Sequence, residues 1–291
     1  PVFAKNGFPA NLFELHSSIR INPISPRGWR AYPFVLRFIH GRQRIKRSRV
    51  LRYEAVSVIC PAYHDEANIG PLVLRCLDVL GPMCGALEII IVEDGSPDGT
   101  AAAADALAAR HPEVTALHHE KNRGHGGAIS TGLAHATHQL IAVMDGDGQY
   151  DPGDLPAMLD MLLAGADVVQ GRRARYPNGP ARAAMSWAYN AMARALFRSP
   201  ARDLGCGIKA LKRDALQSVA PPSTDGIFMQ GELVIRMSLA GRRVEESTVS
   251  CAPRRSGRSS SISSANLKIL YQDLKRFRKE ISAAGRGSGK G

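Results

Sequence analysis

The sequence has little of what marks secreted, zinc-binding or membrane-spanning chains. Its five cysteines, Cys60, Cys76, Cys84, Cys206 and Cys251, are few for 291 residues and widely scattered, whereas a disulfide framework needs a denser, evenly numbered set. None forms a Cys-x-x-Cys pair, so structural zinc is not expected. No apolar run approaches the ~18–20 residues of a membrane-spanning helix, and no secretory signal pattern opens the chain. The Gly-rich stretch Asn122-Arg123-Gly124-His125-Gly126-Gly127 lacks the Gly-Lys-Ser/Thr of a P-loop and is not Gly-x-Gly-x-x-Gly. No Ser-His-Asp arrangement follows from spacing. Free thiols in an odd number fit a reducing compartment, so the expectation is a cytoplasmic protein, at most peripheral on a membrane surface.

Negative charge is scarce at both ends and gathered in the middle. Residues 1–54 carry 11 Lys/Arg and 2 Asp/Glu, and residues 242–291 carry 12 and 4. With a formal charge of +12 for the whole chain, the stretch between is left at −5. An acidic body flanked by basic ends is a poor match to a nucleic-acid-binding domain, whose basic surface lies on the folded body. Hydrophobic residues make up 44% of the chain, which rules out a wholly disordered one.

From Val56 onward the pattern becomes regular. Apolar runs at Val56–Cys60, Leu87–Val92, Val114–His118, Leu140–Met144 and Asp167–Gly171 read as strands. Helical segments over 67–80, Thr100–Arg110, Gly126–Thr137 and Leu155–Leu163 alternate with them. Such alternation implies βαβ units and a parallel sheet, and unbroken runs such as Ile89-Ile90-Ile91-Val92 imply burial on both faces. Further on, helices are expected at 182–197, 214–219 and 230–240, with strands near 207–212 and 243–250. Residues 252–264 form a Ser- and Arg-rich loop, followed by an amphipathic helix and a low-complexity, disordered tail, Gly285–Gly291. The resulting organisation is a basic N-terminal extension (1–54), an α/β domain (55–250), a basic loop (251–264), and a terminal helix with tail (265–291).

Carboxylates collect at the C-terminal ends of these strands, where open α/β sheets bind ligands. Strand one runs into Pro61-Ala62-Tyr63-His64-Asp65-Glu66, strand two into Glu93-Asp94-Gly95-Ser96-Pro97-Asp98-Gly99-Thr100, and strand four into Asp145-Gly146-Asp147-Gly148-Gln149. Asp145, Asp147 and Gln149 make an Asp-x-Asp-x-Gln, an oxygen-rich set suited to a hard cation such as Mg²⁺ or Mn²⁺. Gly146 and Gly148 let a diphosphate approach the backbone. A lone Asp-x-Asp is an ordinary solvated loop; three acidic strand ends in one βαβ series point to a site. The histidines His118, His119, His125, His135 and His138 read as solvated side chains, with metal-ligand spacing the weaker alternative.

The ordered set VSVICPAYHDEANI, IIIVEDGSPDGT, NRGHGGA and MDGDGQ resembles family 2 glycosyltransferases of the GT-A fold, most closely the dolichyl- and polyprenyl-phosphate sugar transferases, over about residues 55–260. The resemblance implies a single GT-A-type, Rossmann-like α/β domain with a mostly parallel sheet. It also implies inverting sugar transfer from a nucleotide-sugar (GDP- or UDP-linked), with Mg²⁺ or Mn²⁺ bridging the donor diphosphate and a polyprenyl phosphate as acceptor. Carried over by position, Pro61, Tyr63, Asp65 and Asp94 line the nucleoside pocket, while Asp145, Gly146, Asp147 and Gln149 hold metal and diphosphate. Lys209, in Asp203-Leu204-Gly205-Cys206-Gly207-Ile208-Lys209, is a phosphate-facing cation or an ordinary surface lysine. Glu232 is a base or sugar contact, or a carboxylate favoured by its helix N-terminus. Arg254 matches the diphosphate-binding arginine of an Arg-x-x-Gly-x-Ser-Lys loop, with Asp147, Glu232 and Arg254 as the catalytic set.

Three departures from the family pattern stand out. His64-Asp65 replaces Asn-Glu, Glu93-Asp94 replaces Asp-Asp, and Ser260 stands where the loop has Lys, with Arg255 or Arg258 as candidate substitutes. Two other readings stay open: a family 2 enzyme acting on a soluble saccharide or another lipid hydroxyl, and a non-catalytic nucleotide-binding protein of the same fold. The terminal stripe Leu267, Leu270, Tyr271, Leu274, Phe277 and Ile281, ringed by Lys268, Lys275, Arg276, Arg278 and Lys279, is expected either to lie on an anionic membrane or to pack on the domain.

Overall fold

Each of the five apolar runs between 56 and 171 becomes a strand of one sheet in the computed structural model, which describes residues 51–176, 179–223, 225–226, 228–254 and 264–287. The strands are β1 (Tyr53–Ala62), β2 (Cys84–Glu93), β3 (Val114–His118), β4 (Leu140–Met144), β5 (Val168–Arg173), β6 (Ile208–Lys212) and β7 (Val244–Val249). The helices are α1 (Glu66–Leu80), α2 (Thr100–Arg110), α3 (His125–His135), α4 (Leu155–Leu163), α5 (Pro180–Phe197), α6 (Arg213–Gln217), α7 (Met229–Leu239) and α8 (Ser264–Gly287). Nearly all of the basic N-terminal extension, most of the basic loop 251–264 and the end of the tail lie outside the described residues.

The sheet order is β3-β2-β1-β4-β6-β5-β7. β1 pairs in parallel with β2 and β4, β2 with β3, and β5 with β7. β6 runs antiparallel to both of its neighbours, β4 and β5, so it alone opposes the common direction.

Side-chain alternation explains the unbroken apolar runs. Val56, Val58, Cys60, Ile89 and Ile91 pack under α1, α2 and α4, against Ile69, Val73, Leu107, Met158 and Leu162. Ile59, Ile90, Val92 and Val143 face the other way, toward Ile129 and Leu133 of α3 and the helices α5, α7 and α8. α3 rides close to β1 because residue 132 is glycine: a Cβ there would collide with the Ile59 side chain.

The apolar stripe of α8 packs on the domain. Leu270, Leu274 and Phe277 are buried, and Phe277 meets Phe197 and Phe228 with ring centroids 5.0 and 5.7 Å away. Arg236 of α7 stacks over Phe277 at 4.8 Å and donates to both oxygens of Glu280 at 2.7 and 2.8 Å. Among the stripe residues whose side chains are described, Tyr271 is the markedly exposed one, and Lys275, Arg276, Arg278 and Lys279 point outward. Removing the buried ring should therefore destabilise the whole domain. Phe277→Ala is expected to cost about 3–5 kcal/mol in urea unfolding, whereas a stripe that serves only to meet a membrane would leave the midpoint unchanged.

Candidate active site

The chain leaves β1 toward β2 and β3 on one side, and returns to place β4 on the other. The crevice at the C-terminal ends of β1 and β4 is the topological switch point of the sheet. Gly146 N donates to Pro61 O at 3.0 Å, joining the two strand ends. A Cβ at position 146 would sit 2.6 Å from that carbonyl, so glycine is what lets the Asp145–Gln149 turn close against β1. Gly148, with φ +70°, turns the chain back, and Gln149 N caps Asp147 Oδ1 at 3.0 Å. Gln149 Nε2 donates to Ala252 O at 3.0 Å, and Gly207 N donates to the Tyr150 hydroxyl at 3.0 Å. The turn is thus tied to the segment after β7 and to the approach to β6. Beside it opens a cleft of about 600 Å³, lined by Asn68, Pro71, Leu72, Arg75, Gln149 and Cys251 among others.

Asp145 and Asp147 sit in contrasting surroundings. Burial works to raise the Asp145 pKa, but His125 and, behind it, Lys209 outweigh burial and hold it below the usual carboxylate range. His125 Nε2 lies 3.2 Å from Asp145 Oδ1. Burial would lower the His125 pKa, and Asp145 reverses this and raises it. Burial, followed by the charge of Asp145, pushes Asp147 up to about 6, with Arg254 pulling the other way. Gly207 leaves room for the Asp145 carboxylate, which a Cβ there would overlap.

These residues suit a divalent ion shared with a ligand. Asp145 Oδ1 is buried and receives no well-formed hydrogen bond among the described residues, and Asp147 carries a charge its neighbours do not fully offset. Oxygen donors alone are what Mg²⁺ and Mn²⁺ prefer. Among the described residues no group of three or more His, Cys, Asp and Glu side chains could hold an ion by itself. The two carboxylates therefore fit an ion whose remaining ligands come from a bound anion and water. The Gln149 side-chain amide, expected at the metal, donates its N–H to Ala252 O, a bond that leaves its oxygen, the atom a hard cation would take, uncommitted.

The neighbouring strand ends complete the crevice. Asp65 accepts from Tyr63 N and Asn68 Nδ2, both at 3.1 Å, and from Arg254 Nη2 at 2.7 Å. Arg254 thus reaches from the end of β7 to the end of β1, close enough to Asp147 to act on its charge. The Tyr63 ring meets His64 edge-on at 4.5 Å. Asp94 Oδ1 accepts from Arg123 N at 2.8 Å and contacts His119 Nδ1 at 2.6 Å. Glu93 is spent on its own turn, accepting from Ser96 N and meeting His118 Nδ1 at 3.3 Å. The longer side chain of the Glu93-Asp94 departure thus serves the loop, and Asp94 is left toward the crevice.

Two expected site residues are placed elsewhere. Lys209 is 1% exposed, with Nζ donating to Cys206 O at 3.3 Å and to Gln230 Oε1. It is neither a surface lysine nor open to a phosphate; it is a buried cation behind Asp145, and burial lowers its pKa to about 8. Glu232 has no exposed surface. It accepts from Ser223 N at 2.7 Å and Arg236 Nε at 2.8 Å, the contacts of a structural carboxylate near a helix start. Pro61, Tyr63, Asp65, Asp94, Asp145, Gly146, Asp147, Gln149 and Arg254 come together; His119, His125 and Gln230 join them without having been singled out for the site. The only signal for the histidines was their place after a strand and at the head of a helix.

The profile of Glycosyl transferase family 2 matches residues 57–219. The chain is 30% identical over 223 residues to polyprenol monophosphomannose synthase of Mycolicibacterium smegmatis, covering 72% of this chain and 82% of that one. It is 30% identical over 215 residues to undecaprenyl-phosphate mannosyltransferase of Micrococcus luteus, covering 70% and 86%. Against glycosyltransferase AglD of Haloferax volcanii it is 31% identical over 207 residues, 68% of this chain but 33% of that protein. Among solved structures, glucosyl-3-phosphoglycerate synthase from Mycobacterium tuberculosis, in complex with Mn²⁺, uridine diphosphate and phosphoglyceric acid, superposes with a TM-score of 0.62 at 20% identity, covering 77% of this chain and 78% of that one. That likeness agrees with the expected GT-A-type fold.

The raised Asp147 gives a stability signature. A carboxyl that holds its proton more tightly when folded contributes stability at low pH, and the contribution is lost as pH rises from near 4 through about 6. In chelator, Asp147→Asn should therefore gain stability relative to the parent between pH 4.5 and 7 in urea unfolding. A difference that stays constant across that range would contradict the assignment.

Proposed function

The chain belongs to glycosyl transferase family 2, and from that premise we propose that it moves a sugar from a nucleotide-sugar to a polyprenyl phosphate, with inversion at the anomeric carbon. Tyr63, Asp65 and Asp94 receive the nucleoside, and the Asp145–Gln149 turn receives the diphosphate. Asp145 and Asp147 would hold Mg²⁺ or Mn²⁺ there, which when bound supplies positive charge against the leaving diphosphate. Arg254 leaves Asp65 for the diphosphate and adds a forked donor to the same charge. The acceptor phosphate oxygen attacks the anomeric carbon from the face opposite the diphosphate. The bond from carbon to the diphosphate oxygen breaks, and its electron pair stays with that oxygen.

The observation that favours a phosphate acceptor is the burial of Glu232. A hydroxyl nucleophile needs a base to take its proton, and the carboxylate expected in that role is enclosed and paired with Arg236. A phosphate is already ionised and needs none. The polyprenyl-phosphate relatives support the same acceptor class.

A lipid-linked acceptor implies work at a bilayer. No helix among the described residues is long and apolar enough to cross a membrane. The outward face of α8 presents Lys275, Arg276, Arg278 and Lys279, and α5 exposes Trp187 at 68% and Met192 at 38%. Together with the basic N-terminal extension, these suit peripheral contact with an anionic, cytoplasmic leaflet.

The test is sugar transfer from labelled UDP- and GDP-sugars, with Mn²⁺, to a short-chain polyprenyl phosphate and to soluble sugars in parallel. Transfer to the lipid phosphate is expected, with Asp147→Ala abolishing it and Arg254→Lys lowering it by about ten-fold or more through loss of the fork. Transfer confined to soluble hydroxyl acceptors would overturn the reading.

A further inference from the structure

β2 and β3 end side by side, with Glu93 in register with His118. The ladder runs one step further, where His119 N donates to Glu93 O at 2.9 Å. Successive strand side chains point to opposite faces. The Glu93-Asp94 and His118-His119 pairs therefore sort into two acid–imidazole contacts, one on each side of the sheet. On the α2 side, His118 stands between Glu93 and Asp105, with Nε2 3.0 Å from the Asp105 carboxylate, and that ring is partly exposed. On the α3 side, His119 lies between Asp94 and Thr131, with Nδ1 2.6 Å from Asp94 Oδ1 and Nε2 2.9 Å from Thr131 Oγ1. The His119 and Asp94 side chains are 7% and 3% exposed. Arg123 N reaches the same Oδ1 at 2.8 Å. Among the described residues, every hydrogen bond to the Asp94 carboxylate falls on Oδ1. Oδ2 is left to accept from a ligand.

The geometry points to His119 as a positioning residue for nucleobase recognition: by fixing Asp94 Oδ1 from β3 and α3, it aims Asp94 Oδ2 at a ring N–H of the donor base. This deepens the nucleotide-sugar reading and rests on it. An ionised carboxylate only accepts hydrogen bonds, so it pairs with the ring N–H of uracil or guanine and meets only lone pairs on the ring nitrogens of cytosine or adenine. Without His119 the Arg123 N–H alone holds Oδ1, the side-chain contact that sets the carboxylate plane is gone, and its preference spreads over both oxygens and over water. Thr131 fixes the far side of the ring, so three elements (the ends of β2 and β3 and the helix α3) converge on one acceptor atom. The residue acts through Asp94 and does not itself touch the base.

The test uses the full chain with Mn²⁺ and four probes by isothermal titration: UDP, GDP, and each with its base ring nitrogen methylated (3-methyluridine and 1-methylguanosine diphosphates). The parent protein should bind one or both unmodified diphosphates, and methylation should weaken binding by about ten-fold or more, since it leaves a buried carboxylate oxygen unpaired. In His119→Ala the methylated and unmodified forms should bind within about two-fold of each other. His119→Asn, which returns an N–H near the position of Nδ1, should restore much of the discrimination. If His119→Ala does not fold, as judged by its thermal melt, Thr131→Val gives the same readout, with a discrimination ratio reduced from the parent's. A His119→Ala protein, or failing that a Thr131→Val protein, whose ratio equals the parent's would overturn the inference, because a merely structural histidine lowers both affinities alike. A parent protein that binds no nucleoside diphosphate would overturn the nucleotide-sugar reading itself.

Discussion

Asp145 and Asp147 stand two residues apart on one short turn, and their mutual repulsion is the constraint around which the site is built. Within a partly water-excluded crevice, like charges so close cannot both be held without compensation. Compensation is unequal. Asp145 has His125 beside it and Lys209 behind it, both drawn toward it from α3 and β6, and remains ionised. Asp147 has Arg254, whose guanidinium is shared with Asp65, and its carboxyl is left with a raised affinity for protons. The turn thus keeps negative charge that the proposed divalent ion would offset.

The fold supplies this arrangement through strand order and small residues. Placing β1 next to β4 sets Pro61 against Gly146, and the reversal of β6 brings Gly207 and Lys209 under Asp145. Glycines at 146 and 207 remove side chains that would otherwise push the turn away from both neighbours. On the far side, α7 and α8 bury Phe277 and fix Arg236, and α7 carries Gln230 to Lys209 and His125. Burying Lys209 costs part of its basicity, which burial lowers to about 8; what it contributes is a positive charge that no exposed side chain at that depth could provide.

Much of this was legible in the residues, and the illegible part has a common cause. Apolar runs such as Ile89-Ile90-Ile91-Val92 announce a strand covered on both faces, and Leu140–Met144 appears in the structure with the bounds its hydrophobicity suggests. Carboxylates at strand ends were legible too, because parallel strands deliver their C-termini to one edge. Strand direction was not: Ile208–Lys212 reads as a strand either way, and its reversal is what turns Lys209 inward. The roles of His119 and His125 depend on which strand pairs with which, so no spacing along the chain could assign them. α8 showed its stripe clearly, but a stripe states only that something covers it; Phe197 and Phe228 are what does. Glu232 had two readings, a base by family resemblance and a carboxylate favoured by its helix start, and only packing showed it enclosed.

The central claim is that the turn and a nucleoside diphosphate hold a divalent ion jointly, neither being sufficient alone. Titrating Mn²⁺ into the protein while following free-ion electron paramagnetic resonance, with and without saturating UDP or GDP, tests it directly. Weak Mn²⁺ binding is expected for the protein alone, and tight one-to-one binding in the presence of one of the diphosphates, beyond what that diphosphate binds in buffer. Equal Mn²⁺ affinity with and without both diphosphates would contradict it.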